Sequence, residues 1–442
     1  MKRIQIKEIK NHIDERVLLA GFAASIREGK TMVFLVLRDI TGSVQITIDK
    51  SRSPALAAAA AALTPDSVIT VRGTLRENEH VQLGGMELIP DDILAESVAA
   101  PLPIRREDIP ATKKKPAVPR SELDARLDYR WIDLRTDKNR LLFRAQTALV
   151  AAMREFLVQK GYIEIHTPKL IGAASESGAD VFKVDYFGRD AFLAQSPQFY
   201  KQMAMAAGFE RVFESGPVFR AEKSHTAKHA AEFTGFDLEV SYIDSFRELM
   251  ELEEDLLIYA LDKVKSACGE ELEKLFGVPL IVPQKPFPAV KLADLYAALE
   301  AEYGYHAPET GDLTTEAEQL SREWVQKHYG HEFLFVTDFS AEKRAFYHMR
   351  DNNGVPQGYD LLWKGVEITT GAQREHRYEP LRRQAQEKGL DEDVRLYLEF
   401  FRYGCPPHGG FGMGIDRLTM LLTGLHINEA AFLFRSPNRL TP

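Results

Sequence analysis

The segment FRAEKSHTAKHAAEFTGFDLEV, residues 219–240, carries a high density of ionisable side chains on a strand-like pattern. Arg220 and Glu222 alternate on one strand, and Asp237 and Glu239 alternate on the returning one, so each pair faces one side. Lys228, His229 and Ala230 stand in the connection, ahead of Phe233. Turning so many charges to one face is costly unless they meet something charged, either a ligand or each other in a structural ion-pair lattice. A second segment, GGFGMGIDRLTMLL, places Gly409, Gly410, Gly412 and Gly414 directly before a helix that opens with Ile415, Asp416 and Arg417. Glycines allow close backbone approach, and a helix start favours anions. In a third, VEITTGAQREHRY, Glu367 and Thr370 offer hard oxygen atoms suited to Mg²⁺, with Arg374 beyond them. Taken singly, the last two also fit an ordinary strand-to-helix turn and an exposed strand.

The chain that must position these groups has 442 residues, 45% hydrophobic and 27% charged, enough apolar material for more than one core. A net charge of −9 argues against holding nucleic acid by bulk positive field and leaves room for a local basic face. The two cysteines, Cys268 and Cys405, lie outside any CxxC spacing, so neither a disulfide framework nor a cysteine zinc site is supported. The N-terminal MKRIQIKEIKNHIDERV is polar, and no run of about 18 apolar residues follows, so a cytoplasmic protein without membrane contact is expected.

Residues 16–98 read as five short strands with an alanine-rich helix, SPALAAAAAALTP, after the third, which is the layout of an OB-fold β-barrel. This gives a barrel domain at 1–104, a Pro- and charge-rich hinge at 105–130 containing Lys113, Lys114 and Lys115, and a larger domain at 131–442. The larger domain opens with a long amphipathic helix, RLLFRAQTALVAAMREFLVQKG, and a strand ending near Pro168. Strands and helices then mix without a βαβ repeat, predicting an α+β domain on an antiparallel sheet. Residues 262–345 read as a helical insertion without a motif.

In this order and spacing, the opening helix and strand, FRAE through FDLEV, and GFGMGIDR resemble motifs 1, 2 and 3 of the class II aminoacyl-tRNA synthetases. QSPQFYKQ, RAEKSHTAKHAAEF, EITTGAQREHRY, YGCPPHGGFGMGIDRLTMLL and FRSPNRLTP are similar to aspartyl-tRNA synthetases of the archaeal and eukaryotic type. The resemblance implies an enzyme that activates L-aspartate with ATP and Mg²⁺ and transfers it to the 3′ end of tRNA(Asp). It implies Arg220 on the α-phosphate and attacking carboxylate, and Glu222, Lys228, His229 and Ala230 around ATP. Phe233 and Arg417 would sandwich adenine, with Gly414, Ile415 and Asp416 closing the pocket and Glu367 and Thr370 on the metal. Arg374 and Lys201 would face the substrate side chain, Gln198 and Asp237 its backbone end, and Glu176 would sit in a closing loop. In the barrel, Phe34, Gln45, Arg27 and Glu77 would meet the anticodon.

Two positions depart from the family pattern, Asp416 standing for the usual Glu and Thr370 for the usual Ser; both keep the needed chemistry. Ala24 and Gln82, near the positions that set tRNA discrimination, match neither class, so charging of tRNA(Asn), with a tRNA-dependent amidotransferase as downstream partner, stays open. The resemblance also implies a homodimer formed through the motif 1 helix. An asparaginyl-tRNA synthetase, a non-catalytic tRNA-binding paralogue and an amide-forming ligase on the same catalytic domain are the competing readings. A buried Lys201 beside a neutral amide would lack an anionic partner, and a scaffold has no use for an ATP site.

Overall fold

The computed structural model describes residues 2–111, 116–172, 181–221, 229–308, 311–390 and 392–442. Glu176, Glu222, Lys228 and the lysines at 113–115 lie outside them. The chain divides into two units, Met1–Asp133 and Leu134–Pro442.

The first unit is a closed barrel in the order β1-β2-β3-β5-β4. Its strands are β1 (Arg16–Glu28), β2 (Met32–Arg38), β3 (Ser43–Asp49), β4 (Val68–Glu77) and β5 (Met86–Ser97), with helix α1 (Pro54–Ala61) after β3. Period-two alternation turns Val33, Leu35 and Leu37 of β2 and Val44, Ile46 and Ile48 of β3 into the barrel core. Phe34 falls on the opposite register, half-buried on the outside. The register of β1 against β2 slips between Ala23 and Ser25, which makes Ala24 the extra residue of a β-bulge. Two short helices, α2 (Leu123–Asp128) and α3 (Arg130–Asp133), complete the unit.

The second unit begins with α4 (Asp137–Gln159), whose first turn is capped by Thr136 Oγ1 accepting the Asn139 N–H at 3.1 Å. Next come β6 (Ile163–Glu164), a small sheet of β7 (Leu170–Ile171), β8 (Lys183–Tyr186) and β9 (Arg189–Leu193), and helix α5 (Gln198–Ala206). The hairpin β10 (Arg211–Phe219) and β11 (Glu232–Ser241) leads to α6 (Arg247–Phe276). Helix α6 breaks its helical geometry at Cys268 and runs on to Phe276. The remaining elements are β12 (Ala289–Lys291), α7 (Leu292–Tyr303), α8 (Thr315–Tyr329), β13 (Phe333–Thr337), β14 (Gly358–Trp363), β15 (Val366–Arg374), α9 (Tyr378–Glu387), α10 (Arg395–Arg402), β16 (His408–Gly414), α11 (Ile415–Thr423) and α12 (Ile427–Ala430).

Eight strands form one sheet in the order β12-β13-β14-β15-β16-β11-β10-β6. The six inner strands are antiparallel, and each edge strand pairs in parallel. Residues 262–345 are therefore not a purely helical insertion: β12 and β13 extend the sheet, and α7 and α8 close a separate small core over them. One face of the sheet is packed by α4 and α6, whose apolar stripes join Phe236, Leu238, Ile368 and Phe411 in the main core. The alternate residues of these same strands face the other way, and there the ionisable groups gather.

Candidate active site

On β11, Phe236, Leu238 and Val240 enter the core, so Phe233, Gly235, Asp237 and Glu239 line up on the opposite face. Across the β11–β16 ladder, Gly412 is paired with Asp237 and Gly410 with Glu239. A Cβ on Gly412 would fall 2.5 Å from Asp237 Oδ1, and one on Gly410 would collide with the Glu239 carboxylate. The glycine run thus makes room for two carboxylates of the neighbouring strand.

Those carboxylates anchor a buried network. Lys201 Nζ, from α5, donates to Asp237 Oδ1 at 3.1 Å and to the carbonyls of Leu238 and Phe411, and lies 3.3 Å from Glu239 Oε2. Arg374, at the end of β15, donates from Nε to Glu239 Oε1 at 2.9 Å and from Nη2 to the Gly410 carbonyl at 2.8 Å. Burial works against a charge on Glu239, but the Arg374 and Lys201 cations outweigh it and hold its carboxyl below the ordinary value. Burial likewise opposes the Arg374 cation, and Glu239 restores it, leaving the guanidinium more basic than usual. Two cations and two anions therefore stand matched, hydrogen bonds joining Lys201 to Asp237 and Arg374 to Glu239, while Glu239 Oε2 meets Lys201 as an ion pair without a hydrogen bond of its own.

Glu367 and Thr370 are three apart, so a regular strand would set them on opposite faces. The β14–β15 register shifts there, pairing Leu361 with Thr369 but Leu362 with Glu367, so Ile368 is the extra residue of a bulge. Thr370 Oγ1 and Glu367 Oε1 consequently come within 3.5 Å on one wall. Asp360, paired with Thr370 and gripped by Arg344 Nη1 at 2.9 Å, lies nearby. Its pKa is pushed up to about 6, by burial first, Arg344 lowering it and the Glu367 charge raising it. This oxygen-rich, negatively charged corner suits a hard divalent cation, although among the described residues no group of three or more His, Cys, Asp or Glu side chains is arranged to hold one.

Arg417 Nη1, on the first turn of α11, donates to the Glu367 carbonyl at 2.6 Å, tying the helix to this corner. Asp416 Oδ2 accepts the Thr234 N–H at 2.8 Å, fastening α11 to β11 while burial raises its own pKa. The Arg220 guanidinium lies 5.4 Å from the Phe233 ring centroid, a cation–π distance.

A cavity of about 180 Å³ collects these groups. Gln198, Arg220, His229, Ala230, Phe233, Asp237, Glu367, Thr370, Arg374, Gly414, Asp416 and Arg417 all line it. Lys201 and Ile415 do not: Lys201 is 2% exposed on the network just described, and the Ile415 side chain is in the main core. Asp237, expected to take a substrate ammonium, is already paired with Lys201. Glu239, which the i, i+2 alternation with Asp237 already sets on this face, was given no role in the site by the sequence, and Asp360 was not singled out at all. Tyr347 and His348 also line the wall, from a stretch without a motif.

On the barrel, Arg27 lies across from Phe34 with its guanidinium 4.8 Å from the ring centroid. Gln45 Nε2 donates to Thr47 Oγ1 at 3.1 Å, and Thr47 in turn donates to Glu87, which also receives Asn78 Nδ2 at 2.8 Å. These residues form one outward face with an aromatic platform and aligned polar groups. Glu77 is exposed at the end of β4, and Gln82 is exposed in the turn that follows.

Residues 122–436 match the family described as tRNA synthetases class II (D, K and N), and residues 17–94 match OB-fold nucleic acid binding domain. The chain is similar to the aspartate–tRNA(Asp/Asn) ligase of Methanopyrus kandleri, 42% identical over 97% of this chain and 96% of the relative. Among solved structures it resembles the Entamoeba histolytica aspartyl-tRNA synthetase, with TM-score 0.88 at 31% identity, covering 100% of this chain and 93% of that one. It also resembles the Pyrococcus horikoshii asparaginyl-tRNA synthetase complexed with asparaginyl-adenylate, with TM-score 0.88 at 29% identity over 100% of both chains. The cavity beneath motifs 2 and 3, the OB barrel and these full-length matches agree: the chain belongs to the class II tRNA synthetases of the D, K and N group.

Proposed function

We propose that the protein is an aspartate–tRNA ligase, which joins L-aspartate to ATP as aspartyl-adenylate and passes the aspartyl group to the 3′ end of tRNA(Asp). The observation that carries this reading is the charge network behind the cavity wall. Arg374 spends Nε on Glu239 and Nη2 on the Gly410 carbonyl, which keeps Nη1 for a substrate carboxylate. Asparagine would leave that donor facing a neutral amide, so the asparaginyl alternative is the weaker one despite the shared fold.

In the first step an α-carboxylate oxygen of aspartate attacks the α-phosphorus of ATP, and the bond to the β-phosphate breaks, releasing pyrophosphate. Two anions must approach, so neutralisation and alignment are the main demands. Arg220 and Arg417 supply fixed positive charge at the cavity, and Phe233 offers an apolar face for adenine. When bound, Mg²⁺ offsets phosphate charge, and Glu367 and Thr370 are the residues that would hold it. In the second step the terminal ribose hydroxyl attacks the acyl carbon, its proton leaves, and the bond to AMP breaks.

The barrel face around Phe34 and Gln45 would receive the anticodon. The exposed side of α4, with Gln146, Val150, Arg154 and Val158, is the surface through which a homodimer would form. No helix among the described residues is long and apolar enough to cross a membrane, and a cytoplasmic location goes with this reading. The M. kandleri relative is named for both tRNAs; if this enzyme also charges tRNA(Asn), a tRNA-dependent amidotransferase is its partner. Pyrophosphate exchange with each amino acid tests the assignment, and strong exchange with asparagine but none with aspartate would overturn it. Charging assays with purified tRNA(Asp) and tRNA(Asn) then decide discrimination, and sedimentation at micromolar concentration decides the dimer.

A further inference from the structure

Behind Gln198 runs a chain of hydrogen bonds with a single consistent direction. His408 is fully buried, and its Nδ1 lies 2.8 Å from the Pro406 carbonyl. A carbonyl only accepts, so Nδ1 carries the hydrogen and Nε2 presents a lone pair. Burial lowers the His408 pKa to about 4, which keeps the ring neutral near pH 7. The side-chain atom of Gln202 that meets Nε2 at 3.0 Å must then be the amide nitrogen. Its other end is therefore the oxygen, which accepts Tyr397 O–H at 2.9 Å and the Gln198 side-chain amide at 2.7 Å. Gln198 thus commits its nitrogen to Gln202, and the only side-chain polar atom it has left is an oxygen.

Gln198 lines the cavity, within the same wall as Asp237 and Arg374. We propose that Gln202, oriented by His408, is a positioning residue that locks the Gln198 amide with its oxygen toward the cavity, as the acceptor for the α-ammonium of the bound amino acid. The proposal rests on the amino-acid-activating reading above. It also gives the ammonium a partner other than Asp237, which Lys201 already occupies. Without the lock, the amide could turn its NH₂ toward the ammonium and repel it.

The test compares aspartate with succinate, the same dicarboxylate without the ammonium group, in pyrophosphate exchange. In Gln202→Met the KM for aspartate should rise about tenfold or more, the range for losing a hydrogen bond to a charged group. The kcat at saturating aspartate and the KM for ATP should stay within about threefold, and so should the Ki of succinate as a competitor. Gln202→Glu, whose one oxygen still accepts from Gln198 while the other shares a proton with His408 Nε2, should restore the aspartate KM to within about threefold of wild type. An unchanged aspartate KM in Gln202→Met, or an equal loss of succinate and aspartate binding, would overturn the proposal, because the network would then merely hold the shape of the pocket. If Gln202→Met does not fold, Tyr397→Phe is read in its place, with a rise of about two- to threefold confined to aspartate. A wild-type protein with no aspartate-dependent exchange would instead defeat the functional reading itself.

Discussion

Gly412 stands directly across from Asp237 in the β11–β16 ladder, and the Asp237 carboxylate fills the space that a side chain at 412 would need. The carboxylate can move only by giving up Lys201. Gly412→Ala is therefore expected to cost about 1–3 kcal/mol, the usual price of overpacking, and to depress aspartate-dependent pyrophosphate exchange. Gly414→Ala is the control for stability, since its Cβ would meet Arg417 and the Phe233 ring at 3.6 and 3.7 Å, ordinary contact distances. Equal urea midpoints for the two variants would contradict this account.

Lys201 holds Asp237 and Glu239 together from behind the cavity wall. Lys201→Met leaves Asp237 without its cation and Glu239 with Arg374 alone. Breaking a buried pair on one side typically costs about 3–5 kcal/mol. The expected outcome is a large fall in unfolding midpoint together with loss of aspartate activation. A variant as stable as wild type would show that the carboxylates are not ionised there.

Glu253 on α6 is fully buried and accepts the Tyr359 O–H at 2.7 Å, and burial pushes its pKa up to about 8. Its folded value lies above the ordinary 4.5, so the native state keeps a proton that the unfolded chain has released. Between those two values this group makes stability fall as pH rises, by up to roughly 1.4 kcal/mol per pH unit. Glu253→Gln should remove that slope, so the variant gains on wild type steadily from pH 5.5 to 7.5 in urea unfolding. Parallel curves would mean that the carboxyl is not held neutral in the fold.

Phe34 presents a half-buried ring on the outer barrel face, next to Arg27. Base–aromatic stacking contributes about 1–3 kcal/mol per base, so Phe34→Ala should weaken tRNA binding roughly 5- to 100-fold. Pyrophosphate exchange, which needs no tRNA, should be unchanged. Filter binding and exchange assays on the same preparation check both halves, and unaltered tRNA affinity would remove Phe34 from the interface.

Most elements were legible because their patterns are local. The alternation of β2 and the amphipathic stripe of α4 each follow from neighbours within one segment, as does the helix start after Gly414. What escaped depends on register between segments distant in the chain. No local pattern says that Gly410 faces Glu239, or that Lys201 reaches two residues more than 30 positions away. The two strands inside residues 262–345 were hidden for a related reason. Ala289–Lys291 is three residues long and Phe333–Thr337 is five, too short to stand out beside the helices that flank them.

The extra residue at Ile368 makes the length of β15 part of the site's chemistry. Pairing with β14 that took Ile368 into an even register would set Glu367 and Thr370, three apart, on opposite faces, and the carboxylate of Glu367 would then swing into the apolar layer against α6 while Thr370 kept its place. The strand therefore depends on its one irregular step as strictly as on its residue types, and ironing that step out would empty the corner proposed for the metal with every motif letter still present.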